Sequence, residues 1–218
     1  MPKKRPWYLV LALVLSTSFG ACGWFDGYQS VLFYRDTQVD APAIVEQLPE
    51  NAAKARVREA HGALIQERDL SRKRGFPLAV GTFLVGAAVL LFTARAFANR
   101  GTSKQFLLQF LVAQTALIIA THFALPGIRL RKADLSAAFD HAFALTRAKT
   151  DAERAQADQV STMVKRLSGP VQTVALALRV SAALFVVIAL TRRRTREFYG
   201  ELDGNLGETH EVDPPNTK

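Results

Sequence analysis

Four long runs of uncharged, mostly apolar residues constrain the fold of this chain more than any other feature. They cover residues 7–25, 75–94, 105–128 and 169–190, and the one formal charge inside them is Arg179. A helix of about 20 residues is long enough to cross the ~30 Å hydrocarbon layer of a membrane. The sequence therefore predicts an all-α fold, an integral membrane four-helix bundle with a small helical extracytoplasmic cap.

A soluble protein with four buried core helices is the competing interpretation of these runs. It requires a layer of other segments to cover four helices that are apolar all round. The remaining segments hold nearly all of the charge, in a chain of which 22% of the residues are charged. They are too polar to form that layer, and the membrane interpretation is favoured.

The basic residues that flank the runs predict an orientation, because short cytoplasmic segments are enriched in Lys and Arg. Three such segments, residues 1–6, 95–104 and 191–218, fall on one side of a four-span protein. We assign them to the cytoplasm, and residues 26–74 and 129–168 to the opposite side. The prediction is a multi-pass protein of the cell membrane with both termini cytoplasmic. The cluster Arg72-Lys73-Arg74, at the outer end of the second run, argues for the opposite orientation.

The first run has a second interpretation, as a signal peptide. Lys3, Lys4 and Arg5 precede it, and Gly20-Ala21 precede Cys22, as in a bacterial lipoprotein cleavage and lipidation site. Phe19 stands where such sites usually carry an aliphatic residue. Processing at Cys22 would leave three spans and a lipid anchor.

The two long loops carry helical patterns. Residues 50–74 are rich in Ala, Arg and Glu and place apolar or small residues on one face, which predicts an amphipathic helix that leads into the second span: Val57, Ala60, Leu64 and Ser71. In the second loop, Asp134 is predicted to cap one helix, and Thr150 with Glu153 has the spacing of a capping box that starts another. Val160, Met163, Val164 and Leu167 share one face of that last helix. The tail after Tyr199 is predicted to be disordered.

Landmarks within the runs suggest how the helices pack. Ser16 with Gly20, and Thr82 with Gly86, have the separation of small residues that lets two membrane helices approach closely. An internal repeat is a further hypothesis, because Gly75-Phe76-Pro77 and Gly169-Pro170 open two spans at corresponding places.

The sequence contains little that points to catalysis. Its single cysteine excludes an intramolecular disulfide framework, a paired-cysteine redox site and a zinc site built on several cysteines. Its four histidines are not spaced as ligands on one helical face, and surface positions account for His61 and His141. No nucleotide-binding or hydrolase motif occurs. We predict no enzyme activity, no metal and no cofactor.

Arg179 is the residue that most needs a physical account. Arginine at the centre of a membrane helix costs about 2.5–3.5 kcal/mol on insertion scales, so its side chain is expected to face the bundle. With no carboxylate in any predicted span, Gln114 and Thr115 at comparable depth, or the hydroxyls of residues 16–18, are its expected partners. The alternative is that Arg179 extends to the interface and the fourth span begins at Val180.

These observations favour a non-enzymatic membrane scaffold or sensor that acts through its extracytoplasmic amphipathic helices. Its partners are predicted to be the lipid bilayer and either another protein or further copies of itself. The sequence pI of about 10.0 comes from clusters that flank the membrane, and the tail is not basic overall, so no nucleic acid is expected. The alternative is a small transporter or channel subunit with an anion-attracting site at Arg179.

Overall fold

A computed structural model of the chain describes residues 5–36, 45, 52–98, 102–195 and 197–199. These residues form five long helices and no strand: α1 (Trp7–Arg35), α2 (Ala52–Phe97), α3 (Thr102–Ala124), α4 (Pro126–Arg147) and α5 (Asp151–Thr191). Four of them, α1, α2, α3 and α5, are long and apolar enough to cross a membrane. The all-α prediction and the number of such helices are confirmed. The tail predicted to be disordered lies outside the described residues.

Helix α1 is longer than the first uncharged run. The predicted span ended at residue 25 because Asp26 is charged, but the helix continues to Arg35. Apolar and aromatic residues resume after Asp26, and one carboxylate does not interrupt the backbone hydrogen bonds of a helix. Asp26 is therefore a residue of an apolar helix and not the first residue of a loop.

Helix α2 joins the predicted amphipathic helix of the first loop to the second uncharged run without a break. It passes through Pro77, whose missing N–H leaves one carbonyl of the preceding turn without its usual donor. The face predicted from the sequence is confirmed in the amphipathic half, because Val57 is fully buried and Leu64 is 6% exposed.

A proline also separates α3 from α4. The third run was predicted to be helical to residue 128, but α3 ends at Ala124 and Pro126 is the first residue of α4. Proline fits this position because the first helical N–H has no intrahelical acceptor. The prediction that Asp134 caps a helix is wrong, because α4 begins eight residues earlier. Asp134 instead binds Lys165 at 2.9 Å.

The capping box at the start of α5 is confirmed. The Glu153 N–H donates to Thr150 Oγ1 at 3.3 Å, and the Glu153 carboxylate accepts from the Thr150 N–H at 3.1 Å. Bonds from the backbone N–H groups of Lys149 and Thr150 lower the pKa of this carboxyl, which lies outside the four uncharged runs. Beyond the box, α5 is continuous through Pro170, where the sequence predicted a boundary between two helices.

The described residues fall into two compact units. Unit 1 consists of those within Met1–Tyr28, Gly81–Leu117 and Leu178–Lys218, and its core contains fully buried leucine and valine side chains: Leu9, Leu13, Val89, Leu107, Leu111 and Leu190. Unit 2 consists of those within Gln29–Val80 and Ile118–Ala177. Its α2 and α4 share one cluster around Val57 and Ala138, and a second cluster surrounds Tyr34 and Leu64.

Within unit 1, α1 and α2 approach each other to backbone contact. A Cβ atom at Gly27 would overlap the backbone of Phe83, and a Cβ atom at Gly86 would overlap the backbone of Trp24. These two positions therefore require glycine. Gly86 belongs to one of the pairs of small residues found in the sequence, whereas Gly27 lies beyond the predicted span.

We expect Gly86→Ala to destabilise the protein by about 1–3 kcal/mol, because the added methyl group forces α1 and α2 apart. The matched control is Gly62→Ala in the same helix, where a Cβ atom meets nothing within 4 Å. That substitution should stabilise the helix by about 0.5–1 kcal/mol. Thermal unfolding of the two variants in detergent micelles measures the difference, and equal effects would contradict the close contact.

Candidate polar site within the apolar helices

Arg179 has a carboxylate partner in unit 1. Its guanidinium donates to Asp26 Oδ2 at 3.2 Å, and so joins α5 to α1 by an ion pair. The expectation that no acidic residue lies in the apolar helices is wrong, because it depended on ending the first helix at residue 25.

The contacts of α1 with α2 give the level of this ion pair. Asp26 lies between Trp24, which contacts Gly86, and Gly27, which contacts Phe83. Residues 83–86 are in the middle of the uncharged run of α2. Asp26 is therefore level with the centre of that run and is far from its polar ends.

The ion pair lies at the surface of the chain. The side chain of Arg179 is 49% exposed and that of Asp26 is 48% exposed. Arg179 was expected to point into the bundle, and the structure places it at the edge of the α1–α5 contact instead. Each charge is partly compensated by the other, and each retains polar atoms that no described residue covers.

Gln114 does not bind Arg179. It is fully buried in unit 1, and its Nε2 donates to the backbone carbonyl of Phe19 in α1 at 2.9 Å. The side chain fits against Gly23, where a Cβ atom would overlap the Gln114 amide. Its Oε1 has no hydrogen-bond partner among the described residues. Gln114 thus links α3 to α1, and its side chain fits there because residue 23 is glycine.

The hydroxyl groups near the site are bound within their own helices. Thr115 donates to the carbonyl of Leu111 at 2.8 Å, and Ser16 donates to the carbonyl of Ala12 at 2.8 Å. Thr17 and Ser18 make the same kind of bond one turn back in α1. This local pairing is how serine and threonine satisfy a hydroxyl in an apolar helix. The hydrogen bond that Arg179 makes among the described residues is to Asp26, so these hydroxyls are not its partners.

Cys22 lies on the exposed surface of α1, one turn before Asp26. The helix continues without a break through residues 20–22, where lipoprotein processing was considered. Lipidation at Cys22 stays a prediction from the sequence.

The histidines take part in separate contacts in unit 2. His141 is 7% exposed, and its Nε2 lies 2.6 Å from Asp158 Oδ1, so it links α4 to α5. The interpretation of His141 as a surface residue is wrong. His122 Nε2 lies 2.7 Å from the guanidinium of Arg129. No group of three or more His, Cys, Asp and Glu side chains within the described residues is arranged to hold a metal ion.

Asp26 and Asp158 are the charged partners that sequence reasoning missed. The signal for Asp26 was present, because eight uncharged residues follow it, most of them apolar or aromatic. A helix search that tolerated one charge would have included it. Asp158 has no comparable signal, since its pairing with His141 depends on how α4 and α5 pack.

Comparisons with known proteins give no family for this chain. No protein-family model, no curated protein and no solved structure matches it at a significant level.

We expect that removal of one partner of the ion pair harms the protein more than removal of both. Asp26→Leu or Arg179→Leu leaves one charge without its partner among apolar helices, whereas the double variant leaves none. The single variants should give several-fold less monodisperse protein on size-exclusion chromatography in detergent. The double variant should return close to the parent yield. A double variant no better than the poorer single variant would show that the two residues are not coupled.

Proposed function

We propose that this chain is a non-enzymatic multi-pass protein of the cell membrane, a scaffold or sensor component that acts through its extracytoplasmic helices. In this proposal α1, α2, α3 and α5 form a four-helix membrane bundle. The polar half of α2, with α4 and the first half of α5, forms the extracytoplasmic cap. The four helices long enough to cross a membrane support the first part.

The observation that carries the proposal is a row of exposed apolar side chains on the polar half of α5. We call it the outer row: Val160, Met163 and Leu167, which are 50%, 60% and 57% exposed. In the same stretch of helix, Ala157 and Ser161 are buried within unit 2. The large apolar side chains are therefore the ones left uncovered, and the small ones face the core.

Lipid does not account for the outer row. The stretch also carries Asp158, Lys165 and Arg166, which belong in water. An apolar row that faces water on an amphipathic helix is typical of a surface that binds another protein. Binding would remove these side chains from water, which stabilises a complex by roughly 25 cal/mol for each Å² of apolar surface covered.

The described ionisable pairs support a structural role for the cap. Lys165 with Asp134, and His141 with Asp158, each join α5 to α4. Such pairs hold α5 in place and fix the direction in which the outer row points.

The contact between Arg179 and Asp26 weakens the alternative, a transporter or channel subunit that attracts anions at Arg179. It depended on a guanidinium without a counter-charge, and Asp26 supplies that charge at 3.2 Å. An arginine paired in this way attracts a further anion much less strongly.

We expect a photo-cross-linking amino acid placed at Met163 or Leu167 to capture a protein partner in living cells. The matched control is Thr162, an exposed residue on another side of the same helix turn. Capture at position 162 should be several-fold weaker, and Leu167→Asp should reduce capture at position 163, because a charge in the row opposes burial. Equal capture at the three positions, measured by immunoblot, would contradict the proposal.

Contacts at one end of unit 1 support one part of the proposed topology, in which both termini and residues 95–104 share one side of the membrane. Arg5 binds the backbone carbonyl of Phe97, and the guanidinium of Arg192 lies 5.3 Å from the centre of the Tyr8 ring. Lys104 lies 6.0 Å from the centre of the Tyr199 ring. The three basic segments thus meet at one end of the unit, and their Lys and Arg residues are the reason that we assign this end to the cytoplasm.

We expect a membrane-impermeant thiol reagent to label Ala155→Cys in intact cells and to label Gly101→Cys only after the membrane is opened. Both substitutions are made in a Cys22→Ala background, so that each variant has one thiol. The reverse pattern, read by gel shift, would mean that Arg72-Lys73-Arg74 sets the orientation.

A further inference from the structure

The ion pair between Arg179 and Asp26 is in an environment that lipid cannot satisfy. It lies level with the centre of the uncharged run of α2, and about half of each side chain is exposed. Charged side chains within membrane helices almost always face protein or a water-filled cavity, because hydrocarbon offers no hydrogen bonds. Something polar must therefore cover this pair in the membrane.

The exposed surface of α1 beside the pair is also polar. Ser18, Cys22 and Asp26 follow one another at intervals of four residues and are all exposed; we call them the polar row. Residues at this spacing lie on one face of a helix. A face of α1 turned to lipid would carry apolar residues, as this same row does at Val14 and Val10, one and two turns before Ser18. The row changes from apolar to polar at Ser18.

We propose that a second copy of this chain covers the polar row and the ion pair, and that the protein is a two-fold symmetric dimer through α1 and α5. The proposal rests on the proposed membrane location, concerns unit 1 alone, and does not depend on the partner of the outer row.

Charge complementarity favours a second copy as the occupant. Each chain presents one cation and one anion side by side, joined at 3.2 Å. Around a two-fold axis the same surface of each copy faces the other. A residue of one copy that contacts a different residue of the second copy is then itself matched by the reciprocal contact. The Arg179 of each copy then approaches the Asp26 of the other. Four charges alternate in sign, and each guanidinium gains a second acceptor for the donors that the single chain leaves exposed.

The small side chains of the polar row suit a close contact between two α1 helices. Ser18 and Cys22 are short, and small residues let membrane helices approach until their backbones pack. The hydroxyl of Ser18 already donates to the carbonyl of Val14 at 3.2 Å, so its burial leaves no donor without a partner.

The only cysteine of the chain lies in the proposed interface and reports on it directly. We expect oxidation of the full-length protein in phosphatidylcholine vesicles, with copper phenanthroline, to give a disulfide-linked dimer through Cys22. Cys22→Ala should abolish the dimer band on a non-reducing gel. The fraction cross-linked should stay constant when the protein is diluted ten-fold in lipid, because the dimer exists before oxidation.

Two neighbouring positions give a matched control for the face. In the Cys22→Ala background, Ser18→Cys should cross-link and Thr17→Cys should not. Both residues are exposed hydroxyl residues at the same depth, and they differ in the side of α1 that they occupy. Equal cross-linking at positions 17 and 18, or a cross-linked fraction that falls with dilution, would overturn the proposal.

A charge exchange tests the role of the ion pair. Asp26→Arg alone and Arg179→Asp alone should each reduce the Cys22 cross-link at least several-fold, because like charges then meet across the axis. The double variant should restore it. Efficient labelling of parent Cys22 by a charged, water-soluble thiol reagent would instead mean that a water-filled cavity covers the pair, and would also overturn the proposal.

Discussion

The close approach of α1 and α2 in unit 1 fixes the positions of the polar groups in the apolar helices. Gly27 lies against the backbone of Phe83, and Gly86 lies against the backbone of Trp24, so these two helices cannot slide along each other without a clash. This register sets Asp26 level with the centre of the uncharged run of α2. It also places Gly23 where the amide of Gln114 fits, and the bond from Gln114 to Phe19 then connects α3 to the same helix. A glycine contact thus determines where a charge and a buried amide lie.

The pairing of Arg179 with Asp26 shows how the unit tolerates a charge that sequence reasoning treated as unaccompanied. Coulombic attraction between opposite charges strengthens as the dielectric constant falls, while the cost of removing each ion from water rises as well. The pair is therefore held together strongly, yet its exposed polar atoms remain expensive in hydrocarbon. Gln114 offers a contrast, because it is fully buried and still leaves Oε1 without a partner among the described residues. The interior of unit 1 thus contains a neutral oxygen, Gln114 Oε1, that accepts no hydrogen bond from them, whereas the ion pair lies at the surface.

Hydropathy and capping signals predicted the helical class, the four long apolar helices and the start of α5, because these depend on local sequence. The predicted ends of the helices were wrong at several places where proline or a charge lies near a helix end. Pro77 and Pro170 lie inside α2 and α5, whereas Pro126 begins a new helix. At Pro126 the backbone leaves the helical region, because Leu125 has φ −125° and ψ 50°, so α3 ends and α4 begins there. The first turn of α4 contacts α2, since a Cβ atom at Gly127 would overlap the Glu67 carboxylate. The charged partners in the site were not predicted for a related reason. Ending α1 at a charge removed Asp26 from consideration, and no pattern in the sequence relates Asp158 to His141.

Two surfaces of the chain do not match the solvent that their neighbouring residues favour, which is water for one surface and lipid for the other. The outer row exposes Val160, Met163 and Leu167 in a stretch whose other residues suit water, and the polar row exposes Ser18, Cys22 and Asp26 in a helix whose other residues suit lipid. Apolar side chains exposed to water cost free energy, and so do polar side chains exposed to lipid. Protein is an environment that would satisfy both, since a protein surface can present apolar side chains to one row and complementary charges to the other. Each unit therefore has, by itself, a physical reason to be covered, and the two surfaces differ in the kind of contact that would satisfy them.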